Sequence, residues 1–349
     1  MDLFKCGQCG ERLFFENNRC LACGTEAGFD WEVCRLVAIK PSSDRLWQAA
    51  GDSSRRYRKC FNHEVEGVCN GLVPADSSDR FCVSCRLNQT IPDLSVGKNR
   101  ELWGKLEAAK RRLVFTLSEL GLPLIPKSVD FQRGLAFAFL ADPNPDFIEG
   151  DRVLTGHSQG VITINLAEAD DAVREQMRLD LREVYRTVLG HFRHEVGHYY
   201  WDLLVRNDPE IGRVRAIFGD ERLNYAQALQ DHYVNGAPWD WQMHFVTPYA
   251  ASHPWEDWAE TWAHYLHIID TLETANAHGV NVQEARHVCS VRDPIGLKME
   301  AILEDWHILR IVLNSLNRSM GHADAYPFVI SGAVAHKLRF IHDWIRSRC

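Results

Sequence analysis

The residues most able to do chemistry in this sequence are two histidines and a glutamate in the segment His194-Glu195-Val196-Gly197-His198. Residues four apart on a helix share one face, so both imidazoles can bind one metal ion, with Glu195 beside them to hold a water molecule. The flanks are apolar and aromatic, as in a buried helix, and Gly197 would let another element pass close by. The pattern predicts a catalytic zinc site with His194 and His198 as ligands and Glu195 as general base. The alternative is two histidines in the core or on the surface.

A catalytic zinc ion needs a third protein ligand, and a later tryptophan-rich segment offers one. The metzincin pattern is excluded because it requires glycine at position 201 and histidine at 204, where this chain has Trp201 and Leu204. The gluzincin pattern takes a glutamate from a later helix, with an acidic residue four positions on. Glu256 and Glu260 match it, which predicts Glu256 as the ligand and Glu260 as the hydrogen-bond partner of a ligand histidine. Asp257 points about 100° away on the helix and is the weaker alternative.

Cysteine is concentrated at the start of the chain, where nine of the eleven precede residue 90. Two Cys-x-x-Cys pairs, each followed by glycine, predict a structural zinc site with four cysteine ligands: Cys6, Cys9, Cys20 and Cys23. The redox alternative for such pairs requires a thioredoxin-like βαβ context, which the sequence lacks.

A second set of cysteines contains only one Cys-x-x-Cys pair. It predicts a second structural zinc site formed by Cys60, Cys69, Cys82 and Cys85. The alternatives are that His63 or Cys34 replaces one of these ligands, or that Cys60 or Cys69 is a buried apolar residue. No role is assigned to Cys34, Cys289 and Cys349.

Charge and hydropathy limit the partners of the protein. The net charge is −8, with +1 on residues 1–100 and −9 on the remainder, so neither part is a strong polyanion binder. The basic run Arg55–Lys59 reads as a solvated rim, so nucleic acid is not expected as a partner and the cysteine-rich part is expected to bind a protein if it binds a partner. No apolar run reaches the ~18 residues of a membrane span, and the first residues do not form a secretory signal. A cytoplasmic protein without a membrane partner is expected.

Hydrophobic periodicity predicts the elements that position these residues. A helix is expected at about 99–120, with Lys110-Arg111-Arg112 on its solvent-exposed face, followed by strands at 135–140 and 160–165. The pattern is helical from Asp171 to about Val205 and mostly helical over 210–349. We therefore expect two domains: a zinc-ribbon head at 1–90, with both four-cysteine sites, and a body at 91–349 that begins with the helical linker.

Three longer segments resemble a known family: Leu154–Asn165, Tyr185–His194 and Tyr249–Glu256. Together with the N-terminal cysteines and the two metal-binding motifs, they resemble the bacterial zinc-binding metallopeptidases that carry a zinc-ribbon head. The resemblance covers nearly the whole chain. It implies an α+β fold with a zincin-like, mostly helical body, and it implies zinc and peptidase chemistry without specifying a substrate.

A more distant similarity, to the lethal-factor-like and Pro-Pro endopeptidases, concerns one tyrosine. In those enzymes a tyrosine seven residues before the third-ligand glutamate helps to stabilise the oxyanion. Tyr249 stands seven residues before Glu256, so the similarity implies that Tyr249 is a catalytic residue.

These features predict a zinc metallopeptidase of the gluzincin type, with one catalytic and two structural zinc ions and a peptide or protein substrate. A second hypothesis is a non-hydrolytic zincin scaffold whose head binds a protein or nucleic acid, although a scaffold has no need for Glu195. A third is a zinc hydrolase acting on a non-peptide amide, which would use the same metal and base.

Overall fold

The computed structural model describes residues 3–142, 153–180, 183–284 and 287–348. The chain forms two compact units. The first comprises Met1–Phe115, Leu124–Gly156 and Val161–Arg174, and the second comprises Thr116–Pro123, His157–Gly160 and Glu175–Cys349. No helix in the described ranges has both the length and the apolarity to cross a membrane.

The cysteine-rich part of the first unit is built on β-structure. A small hairpin flanks the first cysteine pair, with β1 (Phe4–Lys5) before Cys6 and β2 (Arg12–Leu13) after Cys9. A five-stranded antiparallel sheet follows in chain order: β3 (Glu26–Asp30), β4 (Arg35–Pro41), β5 (Trp47–Ala49), β6 (Asp52–Lys59) and β7 (Leu72–Pro74). The short helix α1 (Phe61–Glu64) connects β6 to β7. Apolar side chains of four of these strands pack together around Ile39, Ala49, Tyr57 and Leu72.

A second sheet has the strand order β10-β11-β9-β8. Its strands are β8 (Asn88–Thr90), β9 (Ala136–Leu140), β10 (Gly156–Ser158) and β11 (Val161–Asn165). β9 pairs in parallel with both β8 and β11. The strands predicted at 135–140 and 160–165 are β9 and β11.

The predicted helix at 99–120 is α2 (Asn99–Glu119), and its apolar stripe is buried at Leu106, Leu113 and Leu117. The expectation that its basic stretch faces solvent is wrong for two of three residues, since Lys110 is 0% and Arg111 5% exposed. Lys110 forms an ion pair of 2.8 Å with Glu107, one turn earlier, which offsets part of the cost of burying both charges.

The second unit is mostly helical, as predicted. The remaining helices are α3 (Asp171–Asp180), which ends in this unit, α4 (Val188–Leu204), α5 (Ile211–Phe218), α6 (Tyr225–Asn235), α7 (Trp241–His244), α8 (Pro254–Ala277), α9 (Met299–Ser319) and α10 (Gly332–Arg346). A hairpin that periodicity did not predict is formed by β12 (Asn281–Glu284) and β13 (His287–Ser290). The chain is thus of the α+β class, with a helical body and β-rich cysteine region.

The two helices that carry the motifs pack closely against each other, and Gly197 is the reason they can. A Cβ at this position would meet Cα of Ala259 on α8 at 3.0 Å. The carbonyl of Gly197 also accepts a hydrogen bond of 3.1 Å from Nε1 of the buried Trp258. The expectation that Gly197 lets another element approach the helix is confirmed.

Candidate metal centres

Helix α4 carries the first three residues of the candidate catalytic site. The helix begins after Thr187, whose hydroxyl accepts a hydrogen bond from the amide of Gly190. The segment from Phe192 to Trp201 is buried, so both motif histidines and Glu195 are held within the protein rather than on its surface. The alternative of two surface histidines is excluded.

Helix α8 brings Glu256 to these histidines. The structure places three atoms in a triangle: His194 Nε2 lies 3.2 Å from His198 Nε2 and 3.1 Å from Oε2 of Glu256, and the third side is 3.4 Å. Tetrahedral zinc with nitrogen and oxygen ligands at about 2.0–2.1 Å holds these ligand atoms about 3.3–3.4 Å apart. The three residues therefore fit a zinc ion, in both chemistry and spacing.

The charges at this triangle favour a bound cation. Burial lowers the pKa of His194, but hydrogen bonds and charges from Glu256 and Glu260 outweigh it and raise that pKa well above its usual range. Burial likewise raises the pKa of Glu256, yet the two histidines hold it well below the usual value. The carboxylates thus draw positive charge to the point where the imidazole nitrogens meet.

Glu260 contacts the opposite side of His194, as the sequence predicts for an outer partner of a ligand histidine. Its Oε1 lies 2.6 Å from Nδ1 of His194, and Thr247 donates a hydrogen bond of 2.7 Å to its Oε2. This arrangement fixes the ring so that Nε2 faces the triangle. His198 is held by an aromatic contact instead: the ring centroid of Trp255 lies 3.9 Å from that of His198.

Asp257, the weaker alternative ligand, points elsewhere. Its Oδ2 forms a buried ion pair of 2.6 Å with Nζ of Lys337 on α10. Burial raises the pKa of Asp257 to about 7, against the lowering effect of Lys337. Asp257 therefore helps to attach the C-terminal helix and does not belong to the triangle.

The two residues with predicted catalytic roles lie on α4 and just before α8, the helices that carry the triangle. Oε1 of Glu195 is 3.5 Å from Nε2 of His191, which is one turn earlier on α4. Tyr249 lies in a short 3-10 turn before α8, with its ring centroid 6.0 Å from that of His194. Burial, followed by the charge of Glu256, raises the pKa of Tyr249 and keeps its hydroxyl protonated.

The first cysteine quartet also forms a compact cluster. Sγ of Cys6 lies 3.8 Å from that of Cys23, and Sγ of Cys9 lies 3.6 Å from that of Cys20. Tetrahedral zinc with sulfur at about 2.3 Å spaces its ligands about 3.8 Å apart, so the four thiols fit one zinc ion. Each cysteine pair closes at a glycine with positive φ, namely Gly10 or Gly24.

The second quartet is equally compact and fully buried. Sγ of Cys69 is 3.8 Å from that of Cys82 and 3.6 Å from that of Cys85. All four sulfur atoms, including that of Cys60, lie within 4.8 Å of one another. A Cβ at Gly71 would meet the sulfur of Cys82 at 2.5 Å, so glycine is required there. The alternatives are not favoured, because His63 contacts the Gly71 carbonyl and Cys34 lies outside both quartets.

Two other unassigned cysteines carry no structural conclusion. The side chain of Cys289 and the whole of Cys349 lie outside what the structure describes.

Sequence reasoning missed a hydrogen bond to one of the proposed ligands. The hydroxyl of Tyr225 donates a hydrogen bond of 2.6 Å to Oε1 of Glu256. Tyr225 is far from both motifs in the chain, and no pattern links it to them. Thr247 and Trp255 were also missed as partners, although both lie within a few residues of the predicted segment.

Comparison with known proteins agrees with the geometry. A family described as "Putative zinc-binding metallo-peptidase" matches residues 99–344, which include all three corners of the triangle. The chain belongs to this family. A zinc-ribbon domain family matches residues 3–96, which include both cysteine quartets.

Relatives of this metallopeptidase family member occur in mycobacteria. Proteins of Mycobacterium bovis and Mycobacterium tuberculosis, each named "Uncharacterized protein", are 42% identical to it over 340 residues. The alignments cover 97% of this chain and 94% of each relative. No solved structure matches the chain.

Proposed function

We propose that the protein is a zinc-dependent metallopeptidase that hydrolyses a peptide bond with Glu195 as general base. The observation that carries the proposal is the triangle of His194, His198 and Glu256, whose spacing fits a zinc ion. When bound there, zinc supplies a Lewis acid that polarises a carbonyl group and lowers the pKa of water. Three protein ligands leave the fourth position open, as hydrolytic zinc enzymes require.

Glu195 is the residue that moves protons. Its carboxylate is buried and lies on the same helix as both histidines. One oxygen accepts the proton of the attacking water, and the same oxygen then donates it to the nitrogen of the leaving amine. Nε2 of His191 lies 3.5 Å from Oε1 of this carboxylate and is its neighbour one turn earlier on the helix.

Tyr249 is the proposed donor to the substrate. Its protonated hydroxyl donates a hydrogen bond to the carbonyl oxygen of the scissile bond as negative charge develops there. A donor of this kind contributes about 3 kcal/mol to lowering the barrier. The position of Tyr249 beside His194 supports this role, as does its spacing of seven residues before Glu256.

The two cysteine quartets are proposed to hold structural zinc, giving three zinc ions per chain. Both have four sulfur ligands, which leaves no position for a substrate.

A protein partner for this part of the chain is supported by the exposed apolar side chains Phe14 (55%) and Leu21 (88%) beside the first quartet. Nucleic acid is not favoured, because Arg55 and Lys59 of the basic run form ion pairs with Asp30 and Glu26. Cysteines committed to metal suit the reducing cytoplasm, where we place the protein.

The direct test is cleavage of a broad peptide library by the zinc-loaded protein, read by mass spectrometry. We expect new peptide termini that disappear after treatment with a chelator and return when zinc is restored. Cleavage that survives chelation would contradict a metallopeptidase. A fully loaded protein that cleaves no peptide would favour the non-hydrolytic scaffold.

The assignment of the third ligand has its own test in three variants of α8. Glu256→Ala should lose zinc at this centre, because two histidines are too few for tight binding. Glu260→Ala should weaken zinc binding by about 10–100-fold, the usual effect of an outer partner. Asp257→Asn is the matched control: it leaves the buried Lys337 without its charged partner and lowers stability, but should not change zinc affinity. Chelator competition measures all three, and a wild-type affinity in Glu256→Ala would show that the third ligand is wrong.

A further inference from the structure

The two oxygens of the Glu256 carboxylate have different surroundings. Oε2 is the oxygen at the corner of the triangle, 3.1 Å and 3.4 Å from the two imidazole nitrogens. Oε1 accepts the hydrogen bond of 2.6 Å from the hydroxyl of Tyr225. The carboxylate is 1% exposed, so this phenol takes the place that water would occupy on a surface glutamate.

Tyr225 is held in place by contacts that reach the start of α8. It is the first residue of α6. The side chain of Asn224 caps this helix, because it accepts a hydrogen bond from the amide of Gln227. The ring of Tyr225 packs edge-on against the rings of His253 and Trp255, with centroids 5.2 Å and 5.7 Å away. The phenol is therefore fixed relative to the turn of α8 that carries Glu256.

His253 ties these two segments together. Its Nδ1 accepts the amide of Trp255, which caps α8, and its Nε2 lies 3.2 Å from the carbonyl of Leu223, just before α6. One imidazole thus contacts the backbone on both sides of the Tyr225–Glu256 hydrogen bond. Such a support is expected where one hydrogen bond must hold a fixed geometry.

We propose that Tyr225 is a positioning residue that orients the Glu256 carboxylate so that only Oε2 faces the metal. A carboxylate without a donor on its second oxygen can rotate or bind a metal through both oxygens. A donor on Oε1 removes both freedoms and keeps the fourth coordination position open for chemistry. The inference rests on the proposed metal centre, but it does not require that the substrate is a peptide.

The test compares Tyr225→Phe and Tyr225→Leu with wild type. The phenylalanine variant keeps the ring that packs on His253 and Trp255 and loses only the hydroxyl, whereas leucine loses both. Zinc affinity at the triangle is measured by chelator competition in chains whose cysteine sites remain loaded. Cobalt(II) is then placed at the same centre, and its visible spectrum reports the number and geometry of its ligands.

Tyr225→Phe is expected to weaken zinc binding by about 10–100-fold and to alter the cobalt spectrum, as loss of an outer partner does. Tyr225→Leu should be at least as severe. The control is Tyr326→Phe, which removes an equally short hydrogen bond, 2.7 Å to Nδ1 of His264, and should leave the metal unaffected. Thermal unfolding of each metal-free variant separates metal affinity from a change in stability.

If Tyr225→Phe binds zinc as tightly as wild type, with an unchanged cobalt spectrum, the positioning role is overturned. A weakened Tyr225→Leu together with a normal Tyr225→Phe would overturn it as well, because the ring alone would then suffice. If the wild-type protein binds no zinc that Glu256→Ala removes, the metal centre itself fails and the role of Tyr225 fails with it. Absence of peptidase activity in a protein with three zinc ions contradicts the proposed function and leaves this inference standing.

Discussion

Replacing Glu195 by glutamine is expected to lower peptide hydrolysis by about 10²–10⁴-fold while zinc binding remains close to that of wild type. The amide keeps the shape and volume of the carboxylate but cannot accept the proton of the attacking water. Glu195 is not a corner of the His194–His198–Glu256 triangle, so its replacement leaves all three proposed ligands in place. The measurement is single-turnover cleavage of a peptide found in the library screen, alongside the zinc content of the same sample.

A matched control for this variant is Glu273→Gln. Glu273 is also a buried glutamate, 6% exposed, and it lies on α8 about 20 Å from Glu260 at ~1.5 Å per residue. Burial raises its pKa to about 7, so the neutral amide is a mild replacement. We expect the control to cleave at the wild-type rate. Equal rates for Glu195→Gln and wild type would show that another residue is the base.

The candidate site could be predicted from the sequence because its residues obey the local geometry of two helices. The four-residue spacings of His194 to His198 and of Glu256 to Glu260 each define one helix face without knowledge of the fold. The contact between the two helices was indicated only by Gly197, and the structure shows Ala259 at that point. The grouping of the first cysteine quartet followed in the same way from the spacing of its two pairs.

Tyr225 shows what such spacing cannot reveal. It approaches Glu256 because α6 begins where the loop after α5 places it, and that position depends on contacts such as the one from His253 to the Leu223 carbonyl. No period in the sequence encodes a contact between residues that are 31 positions apart. A tyrosine after an asparagine cap reads only as an ordinary helix start.

The buried face of α2 was mispredicted for a different reason. Lysine and arginine are mostly exposed, and that tendency assigned Lys110 and Arg111 to the solvent. In the structure each has a partner within the protein: Glu107 for Lys110, and the carbonyl of Val68 for Arg111. The spacing of Glu107 and Lys110, three residues apart, is a signal for such a pair, but it does not say whether the pair faces water.

Hydrophobic periodicity also did not predict the strands of the cysteine-rich part. Two of these strands are longer than five residues: β4, whose burial partly alternates, and β6, which is a polar segment rich in arginine. The strands of the cysteine-rich part are arranged around the segment that carries the metal-binding cysteines. β6 and β7 lead into and out of the segment that carries Cys60 and Cys69, so the metal-binding residues and the sheet specify each other.

This coupling leads to the second large effect: loss of the second cysteine quartet should unfold the first unit. The variant is Cys69→Ser with Cys82→Ser, which replaces two sulfur atoms that are 5% and 2% exposed. Structural zinc contributes about 10–16 kcal/mol in small domains, as much as the whole stability of about 5–15 kcal/mol that a domain has. The buried hydroxyls would in addition lack the partners that the sulfur atoms have, which include the amide of Gly71.

The matched variant is Cys9→Ser with Cys23→Ser in the first quartet. Both variants should reduce the zinc content from three to two per chain, but their structural effects should differ. Cys9 and Cys23 are exposed, and the hairpin of β1 and β2 forms a two-stranded sheet distinct from the sheet of β3 to β7, which has its own apolar cluster. We therefore expect loss of the first site to expose mainly residues 3–25.

Hydrogen exchange read by mass spectrometry distinguishes these outcomes segment by segment. In the second-quartet variant, amides of β3 to β7 and of the first four turns of α2 should lose protection. The link to α2 is specific, because Glu107 contacts Cys85 at 3.9 Å and also accepts hydrogen bonds from Asn88 and Lys110. Without the metal, the carboxylate of Glu107 would be buried next to free thiols, and α2 would lose its contact with an ordered Cys85.

Helices α4 and α8 should keep their protection in both variants, since the His194–His198–Glu256 triangle and the close contact at Gly197 lie wholly within the second unit. If exchange rises equally along the entire chain, the two units do not fold separately, and the domain boundary predicted near residue 90 has no thermodynamic meaning. If β3 to β7 remain protected after loss of Cys69 and Cys82, the apolar cluster of the sheet is sufficient by itself. The second zinc would then be an addition to a folded sheet and not the element that stabilises it.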